Sequence, residues 1–98
     1  MIVVRDVLKI DPQHMKDVRE QMLKMRELGK RLGYPAMRAL TDLVSDYYTL
    51  VLESEFSDMG AYEKAMQSML QNAEWQQAYG AIRPVVRGGK REVYTVLG

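Results

Sequence analysis

The chain contains no cysteine, one histidine, one tryptophan and one phenylalanine among its 98 residues. The missing cysteine excludes disulfides, thiolate nucleophiles, thiolate zinc sites and cysteine-bound iron–sulfur clusters. No apolar run approaches the roughly 18 residues of a membrane span, so we expect no membrane partner. Arg5 and Asp6 lie where a signal peptide has its apolar core, which favours a cytoplasmic protein. The formal net charge of +1 gives no electrostatic case for nucleic-acid binding.

Hydrophobic residues make up 47% of the chain and charged residues 28%, a composition typical of a globular protein. The length predicts a single domain over residues 1–98. A period-two pattern over residues 2–10 predicts a strand whose apolar face is interrupted by Asp6. Because a charge on a covered strand must be paired, we expect Asp6 to meet an arginine across the sheet or across a dimer.

A long helix follows the first strand. Asp11 is a suitable N-cap and Pro12 suits the first helical position, since it lacks only a hydrogen bond that the helix would not make there. An apolar stripe at three- and four-residue steps continues to Leu32, and Gly33 predicts the end of the helix.

The middle of the chain predicts two strands, over residues 36–44 and 47–56, joined by a tight turn at Ser45 and Asp46. Both strands carry apolar residues on each face, whereas a sheet with one wet face would alternate more cleanly. The helices of so small a domain cover only one face. The sequence therefore predicts a homodimer in which two sheets pack face to face.

A second helix is predicted to begin with a cap at residue 57 or 58 and to break near residue 72, before a short third helix over residues 73–82. We predict a loop over residues 87–90 and a last strand over residues 91–97. The order strand, helix, two strands, helix, strand predicts an α+β fold, the ferredoxin-like βαββαβ arrangement with an antiparallel four-stranded sheet.

Five stretches of the chain form a recognisable set: residues 40–42, 48–53 and 56–58, Trp75, and the pair Gly88-Gly89. Through them nearly the whole chain resembles the dimeric α+β barrel superfamily, and within it the NIPSNAP-like and antibiotic-biosynthesis-monooxygenase-like small proteins. The resemblance implies a dimeric barrel. Members include cofactor-independent oxygenases of polycyclic phenols, haem-degrading oxygenases, muconolactone-isomerase-like enzymes and stress proteins, so the fold leaves the function open.

Two functions of similar folds are disfavoured by missing residues. The haem-degrading relatives have an iron-binding histidine on the second helix, and residues 66–75 contain none, so the resemblance implies no haem. A zinc or non-haem iron site is likewise unsupported with one histidine and no cysteine. RNA-recognition domains share the topology, but their glycine-and-aromatic signature is absent from residues 49–53. We therefore expect no metal, no other cofactor and no nucleic acid.

An aromatic cleft between helices and sheet is the predicted ligand site. Its candidate residues are four rings and two cations: Trp75, Tyr79, Tyr47, Tyr48, Arg38 and Arg83. A cofactor-free oxygenase would hold a flat phenol against the rings and stabilise its anion with a cation. The alternative for the pair Trp75 and Tyr79, one helical turn apart, is that both only pack the third helix onto the sheet.

Two further side chains are candidates for acid–base chemistry. His14 lies in the first turn of the first helix and is either a general base or a surface or capping residue. Asp42 lies near the end of a strand and is either a base or a turn-stabilising carboxylate. We expect a protein that binds or oxidises a hydrophobic, aromatic small molecule without a metal; the alternative is a non-enzymatic dimeric ligand-binding or stress-response module.

Overall fold

The computed structural model describes residues 1–98 and contains four strands and three helices. In chain order they are β1 (Ile2–Ile10), α1 (Met15–Arg31), β2 (Met37–Thr41), β3 (Thr49–Phe56), α2 (Met59–Gln71), α3 (Ala73–Ile82) and β4 (Val86–Thr95). The sheet order is β2-β3-β1-β4, and every neighbouring pair is antiparallel. This confirms the predicted α+β, ferredoxin-like βαββαβ fold. No helix is both long enough and apolar enough to cross a membrane.

The helices begin where the sequence predicts caps. Asp11 accepts a hydrogen bond from the Gln13 N–H at 2.9 Å and opens a 3₁₀ turn that leads into α1. Asp58 accepts one from the Ala61 N–H at 2.8 Å and caps α2. The end of the buried stripe on α1 differs from the prediction. The helix ends at Arg31, so Leu32 lies beyond it and is exposed, and Leu28 is the last buried residue of the stripe.

The connection between β2 and β3 is wider than predicted. β2 ends at Thr41, and residues 42–48 form a loop instead of a tight turn. The Asp42 carboxylate accepts the Thr49 N–H at 2.8 Å and so closes the base of the loop. Tyr47 and Tyr48 have φ values of 44° and 54°, which a strand does not allow, so the prediction that both begin β3 is wrong.

The predicted loop over residues 87–90 is also wrong, because β4 begins at Val86 and runs through both glycines. Gly89 pairs with Leu8 on β1, and a Cβ at this position would collide with the Val7 carbonyl oxygen and lie 3.2 Å from Leu8 Cα. A register irregularity between Lys9 and Ile10 accompanies this close approach. Gly89 therefore marks close contact between two strands and not a turn.

We expect Gly89→Ala to lower the free energy of unfolding by about 1–3 kcal/mol, the usual cost of overpacking. Gly80 offers the matched control, since nothing lies within 4 Å of a Cβ built there on α3. Gly80→Ala should raise stability by about 0.5–1 kcal/mol, because alanine is the better helix former. Urea unfolding of both variants measures the difference. A Gly89→Ala chain as stable as the unsubstituted one would contradict the close approach of β4 to β1.

The helices pack on one face of the sheet and bury a small core of two clusters; 11 of the 98 residues are buried in all. The larger cluster consists of Ile10, Val18, Met22, Met25, Leu50 and Ile82. The smaller consists of Val4, Phe56 and Ala65. Along the helix-facing side of β1, Asp6 lies between Val4 and Ile10, that is, between the two clusters. The interruption predicted in this strand therefore marks a gap in the core.

The opposite face of the sheet is open and is organised in rows. One row, formed by register-paired residues of all four strands, alternates in charge: Arg38, Glu53, Arg5 and Glu92. Arg5 forms an ion pair with Glu53 at 2.9 Å, and its guanidinium lies 5.4 Å from the centre of the Tyr94 ring. The next row places Leu40, Val51 and Val7 side by side. The open face thus carries a row of charges, in which Arg5 and Glu53 are paired, next to an apolar row.

Candidate functional site

A cleft of about 740 Å³ opens between the helices and the β1–β4 side of the sheet. Its apolar wall comes from all three helices and from the sheet, and includes Leu8, Met22, Met25, Leu52, Met66, Trp75, Tyr79, Ile82 and Val86. Its volume lies in the range of small-molecule sites. The cleft beside the larger core cluster is therefore of the size that a small ligand needs.

Trp75 and Tyr79 stand on the α3 side of this cleft. Asn72 ends α2 in an extended conformation, and its side chain accepts the Trp75 N–H at 2.9 Å, which caps α3. The break between the two helices thus positions the first turn of α3 over the sheet. Trp75 is half-buried against the larger core cluster, whereas Tyr79 is exposed. Trp75 accordingly both packs against the core and lines the cleft, whereas Tyr79 lines the cleft only.

An ion pair lies in the cleft. Arg91 of β4 is directly opposite Asp6 of β1, and its Nε and Nη2 donate to the two carboxylate oxygens at 2.5 and 3.4 Å. Through this hydrogen bond above all, Asp6 raises the pKa of Arg91. The arginine partner that the sequence predicts for Asp6 is therefore Arg91, across the sheet. The only carboxylate that lines the cleft is consequently already paired.

Tyr62 of α2 lies next to the ion pair of Asp6 and Arg91. The Arg91 guanidinium lies 5.8 Å from the centre of the Tyr62 ring, and the same ring packs edge-on against Phe56. The Tyr62 hydroxyl is buried without a hydrogen-bond partner. Burial raises the pKa of Tyr62, and the Asp6 charge adds to this while Arg91 opposes it. At neutral pH the hydroxyl is thus a protonated donor with no acceptor in the protein.

Two other arginines border the cleft where α3 leads into β4. Arg83 begins the 3₁₀ turn between them and takes part in none of the ion pairs. Arg87 binds Asp11 at 2.5 Å and the Pro84 carbonyl at 3.0 Å, which ties the start of β4 to the end of β1. The Gln13 N–H, and secondarily Arg87, lower the pKa of Asp11. Arg83 is the cation left available to a ligand.

The structure brings together three of the eight predicted site residues: Trp75, Tyr79 and Arg83. Tyr47 and Tyr48 lie instead in the β2–β3 loop, where Tyr47 is 77% exposed, because β3 begins only at Thr49. Arg38 lies on the open face of the sheet, in register with Glu53. These three side chains are on the far side of the sheet or beyond its end and do not line the cleft.

The two acid–base candidates are also elsewhere. His14 ends the 3₁₀ turn before α1, and its Nδ1 lies 3.6 Å from the Asp11 carboxylate. Asp42 closes the β2–β3 loop through Thr49, which is the turn-stabilising alternative considered for it. Asp6 and Arg91, by contrast, line the cleft although neither was among the predicted site residues. The signal for them was the charge that interrupts the apolar face of β1.

The fold defines the chain as a ferredoxin-like α+β protein with a largely apolar cleft between its helices and sheet. No protein-family model and no curated protein matches the sequence. The fold, however, matches that of solved structures. The crystal structure of an antibiotic biosynthesis monooxygenase is 16% identical, with a TM-score of 0.79 and complete coverage of both chains.

Two further structures show the same likeness. A NIPSNAP-domain protein from Burkholderia xenovorans is 14% identical, with a TM-score of 0.83 over 99% of this chain and 95% of that one. An antibiotic biosynthesis monooxygenase from Nitrosomonas europaea is 13% identical, with a TM-score of 0.80 over the whole of both chains. The chain therefore has the fold of the antibiotic-biosynthesis-monooxygenase-like and NIPSNAP-like proteins, as its resemblance to the superfamily predicts.

Proposed function

We propose that this protein binds a hydrophobic aromatic small molecule in the cleft between α3 and the β1–β4 side of the sheet, and oxidises it without a metal. The observation that carries the proposal is the make-up of this one cavity. It combines two aromatic rings, a wall of thioether and aliphatic groups, and cations at the Arg83 and Arg91 side. Such a wall buries a flat ring, and a cation stabilises the anion that forms when a phenol loses its proton.

The chemistry follows that of a cofactor-free oxygenase. A bound hydroquinone releases one hydroxyl proton to water at the mouth of the cleft. The resulting anion gives two electrons to dioxygen, which takes up that proton and the second hydroxyl proton to form hydrogen peroxide, and the quinone is left. Arg83, which has no carboxylate partner, is the residue best suited to stabilise this anion. Arg91 contributes through a guanidinium that Asp6 holds in place at 2.5 Å. Trp75 and Tyr79 orient the ring, and a rigid orientation contributes to rate because reacting groups then meet in a productive geometry.

A non-enzymatic ligand-binding or stress-response module is the second candidate, and one observation favours it. The cleft is lined by no histidine, and its single carboxylate, Asp6, is held by Arg91. A general base must lie within hydrogen-bond reach of the proton that it removes. A cleft without a free base can bind a phenol and leave it unchanged.

Oxygen consumption with a panel of hydroquinones separates the two candidates. For an enzyme, we expect Trp75→Phe and Tyr79→Phe to lower turnover by roughly tenfold to a hundredfold, because the substrate loses its orientation. Tyr47→Phe is the matched control, since Tyr47 is an exposed tyrosine of the β2–β3 loop. Trp75 is the only tryptophan, so quenching of its fluorescence reports binding in the unsubstituted protein and in the Tyr79→Phe and Tyr47→Phe variants. Quenching without oxygen consumption would identify a binding module. If neither quenching nor oxygen consumption is observed, both candidates are refuted.

We also propose that the protein is a homodimer in which the open sheet faces of two copies pack together. The apolar row of Leu40, Val51 and Val7 supports this, as does the small core of the single chain. Beside that row, Arg5 forms an ion pair with Glu53, and Lys90 Nζ lies 3.7 Å from the Glu92 carboxylate. Since paired charges lose less on desolvation than isolated ones, the face can be covered at lower cost.

A further inference from the structure

A second hollow, of about 270 Å³, lies on the side of Trp75 away from the β1–β4 edge. It is bounded by the C-terminal half of α1, the start of β2 and the end of α2, and its apolar lining includes Met37, Phe56 and Met69. The charged side chains around it belong to α1, where they are exposed to solvent. Its interior therefore suits an apolar group.

Two side chains, Met25 of α1 and Trp75 of α3, line both this hollow and the larger cleft. They belong to different helices and both lie between the two hollows. Met25 is 3% exposed, and its unbranched thioether adapts to irregular space. The backbone of Trp75 is fixed by the cap from Asn72, so the position of the ring along α3 is set. The wall between the two hollows thus includes these two side chains.

The cations that line the larger cleft lie toward the β4 edge of the sheet. Arg83, Arg87, Lys90 and Arg91 belong to β4 or to the 3₁₀ turn before it, whereas Met25 and Trp75 are the part of the lining that the cleft shares with the smaller hollow. A phenolic hydroxyl or its anion would be drawn toward the cations. The remainder of such a ligand then points toward the shared wall, where the surroundings are apolar.

We propose that Trp75 and Met25 form a partition that sets the length of the ligand. The ligand class is an amphipathic phenol: a ring with its hydroxyl toward the arginines and an alkyl tail toward the partition. With the partition in place, the tail is limited to the space in the larger cleft. Without it, the tail extends into the smaller hollow beside Met69. This inference rests on the proposed function, since it takes the cleft as the ligand site.

The test measures the dissociation constants of a series of para-alkylphenols, from methyl to octyl, by titration calorimetry. Each methylene that becomes buried should tighten binding roughly fourfold. For the unsubstituted protein we expect this gain to stop at an intermediate tail length, where the tail reaches the partition. For Trp75→Ala we expect the gain to continue to longer tails, because the tail enters the smaller hollow.

Two further variants make the result specific. Met69→Phe fills the smaller hollow, so combined with Trp75→Ala it should restore the early limit. Tyr79→Ala removes a ring that lines only the larger cleft, and should weaken every phenol by roughly threefold to tenfold without moving the limit. If Trp75→Ala does not fold, as judged by circular dichroism, Met25→Ala opens the same wall from α1 and is expected to extend the limit too.

The outcomes separate the partition from the proposed ligand site. Binding with the same limit in the unsubstituted protein and in the partition variants would overturn the partition while leaving the cleft as the ligand site. A longer limit in Trp75→Ala that Met69→Phe does not reverse would also overturn it, since the tail would then lie elsewhere. Failure of every phenol to bind the unsubstituted protein would refute the proposed function, and the partition with it.

Discussion

Replacing Val51 with arginine should convert the proposed homodimer into monomers of 11.3 kDa. Val51 lies at the centre of the open sheet face, in register with Leu40 on one side and Val7 on the other. In a twofold dimer the substitution places two guanidinium groups in one interface. An uncompensated buried charge costs about 3–5 kcal/mol, so we expect the dissociation constant to rise by at least about a hundredfold.

Size exclusion with light scattering measures the mass of each variant. Leu23→Arg is the matched control, because Leu23 is 58% exposed on α1, away from the sheet, and the same charge is added. This control should keep the mass of the unsubstituted protein. A Val51→Arg chain that remains dimeric would show that the two copies meet elsewhere. An unsubstituted protein with the mass of a single chain would exclude the homodimer itself.

The second large effect is expected at the centre of the core. Leu50 of β3 is 1% exposed and belongs to the larger buried cluster with Val18 and Ile82. Leu50→Ala removes three carbon atoms and leaves a cavity that surrounding side chains fill only in part, which costs about 2–5 kcal/mol. Because the total stability of a domain is about 5–15 kcal/mol, the loss is a large share of it.

Urea unfolding at a fixed protein concentration measures this loss, since any association would make stability depend on concentration. Leu70→Ala is the control: Leu70 is 63% exposed on α2, and we expect a change within about 0.5 kcal/mol. Equal midpoints for the two variants would contradict the placement of Leu50 beneath α1. The contrast between one buried and one exposed leucine isolates the packing contribution.

Much of the fold could be predicted from local patterns. The period-two pattern of β1 and the caps at Asp11 and Asp58 depend on residues near one another in the chain, and the structure agrees with them. The errors arose where a distant partner decides the local conformation. Gly89 lies in a strand, where it is in close contact with β1. The β2–β3 connection is a loop over residues 42–48, whose base is closed by the hydrogen bond from the Thr49 N–H to Asp42.

The candidate site was predictable only in part, for the same reason. Trp75 and Tyr79 are one helical turn apart, so their common face follows from helix geometry alone. Tyr47 and Tyr48 are aromatic as well, but they lie in the β2–β3 loop and do not line the cleft. Asp6 is recognisable in the sequence as a charge on an apolar strand face, but its partner, Arg91, lies 85 positions away in the chain.

By itself, then, the sequence determined the order and type of the elements, and hence the βαββαβ fold, because periodicity and capping are local properties. It also determined that Asp6 needs a cation, because a carboxylate on a covered strand cannot remain unpaired. Only the tertiary structure decided that the cation is Arg91, that the core divides around this pair, and that Trp75 stands between two hollows. Those features depend on the register of β4 against β1 and on the packing of α3 over the sheet, which join residues far apart in the chain.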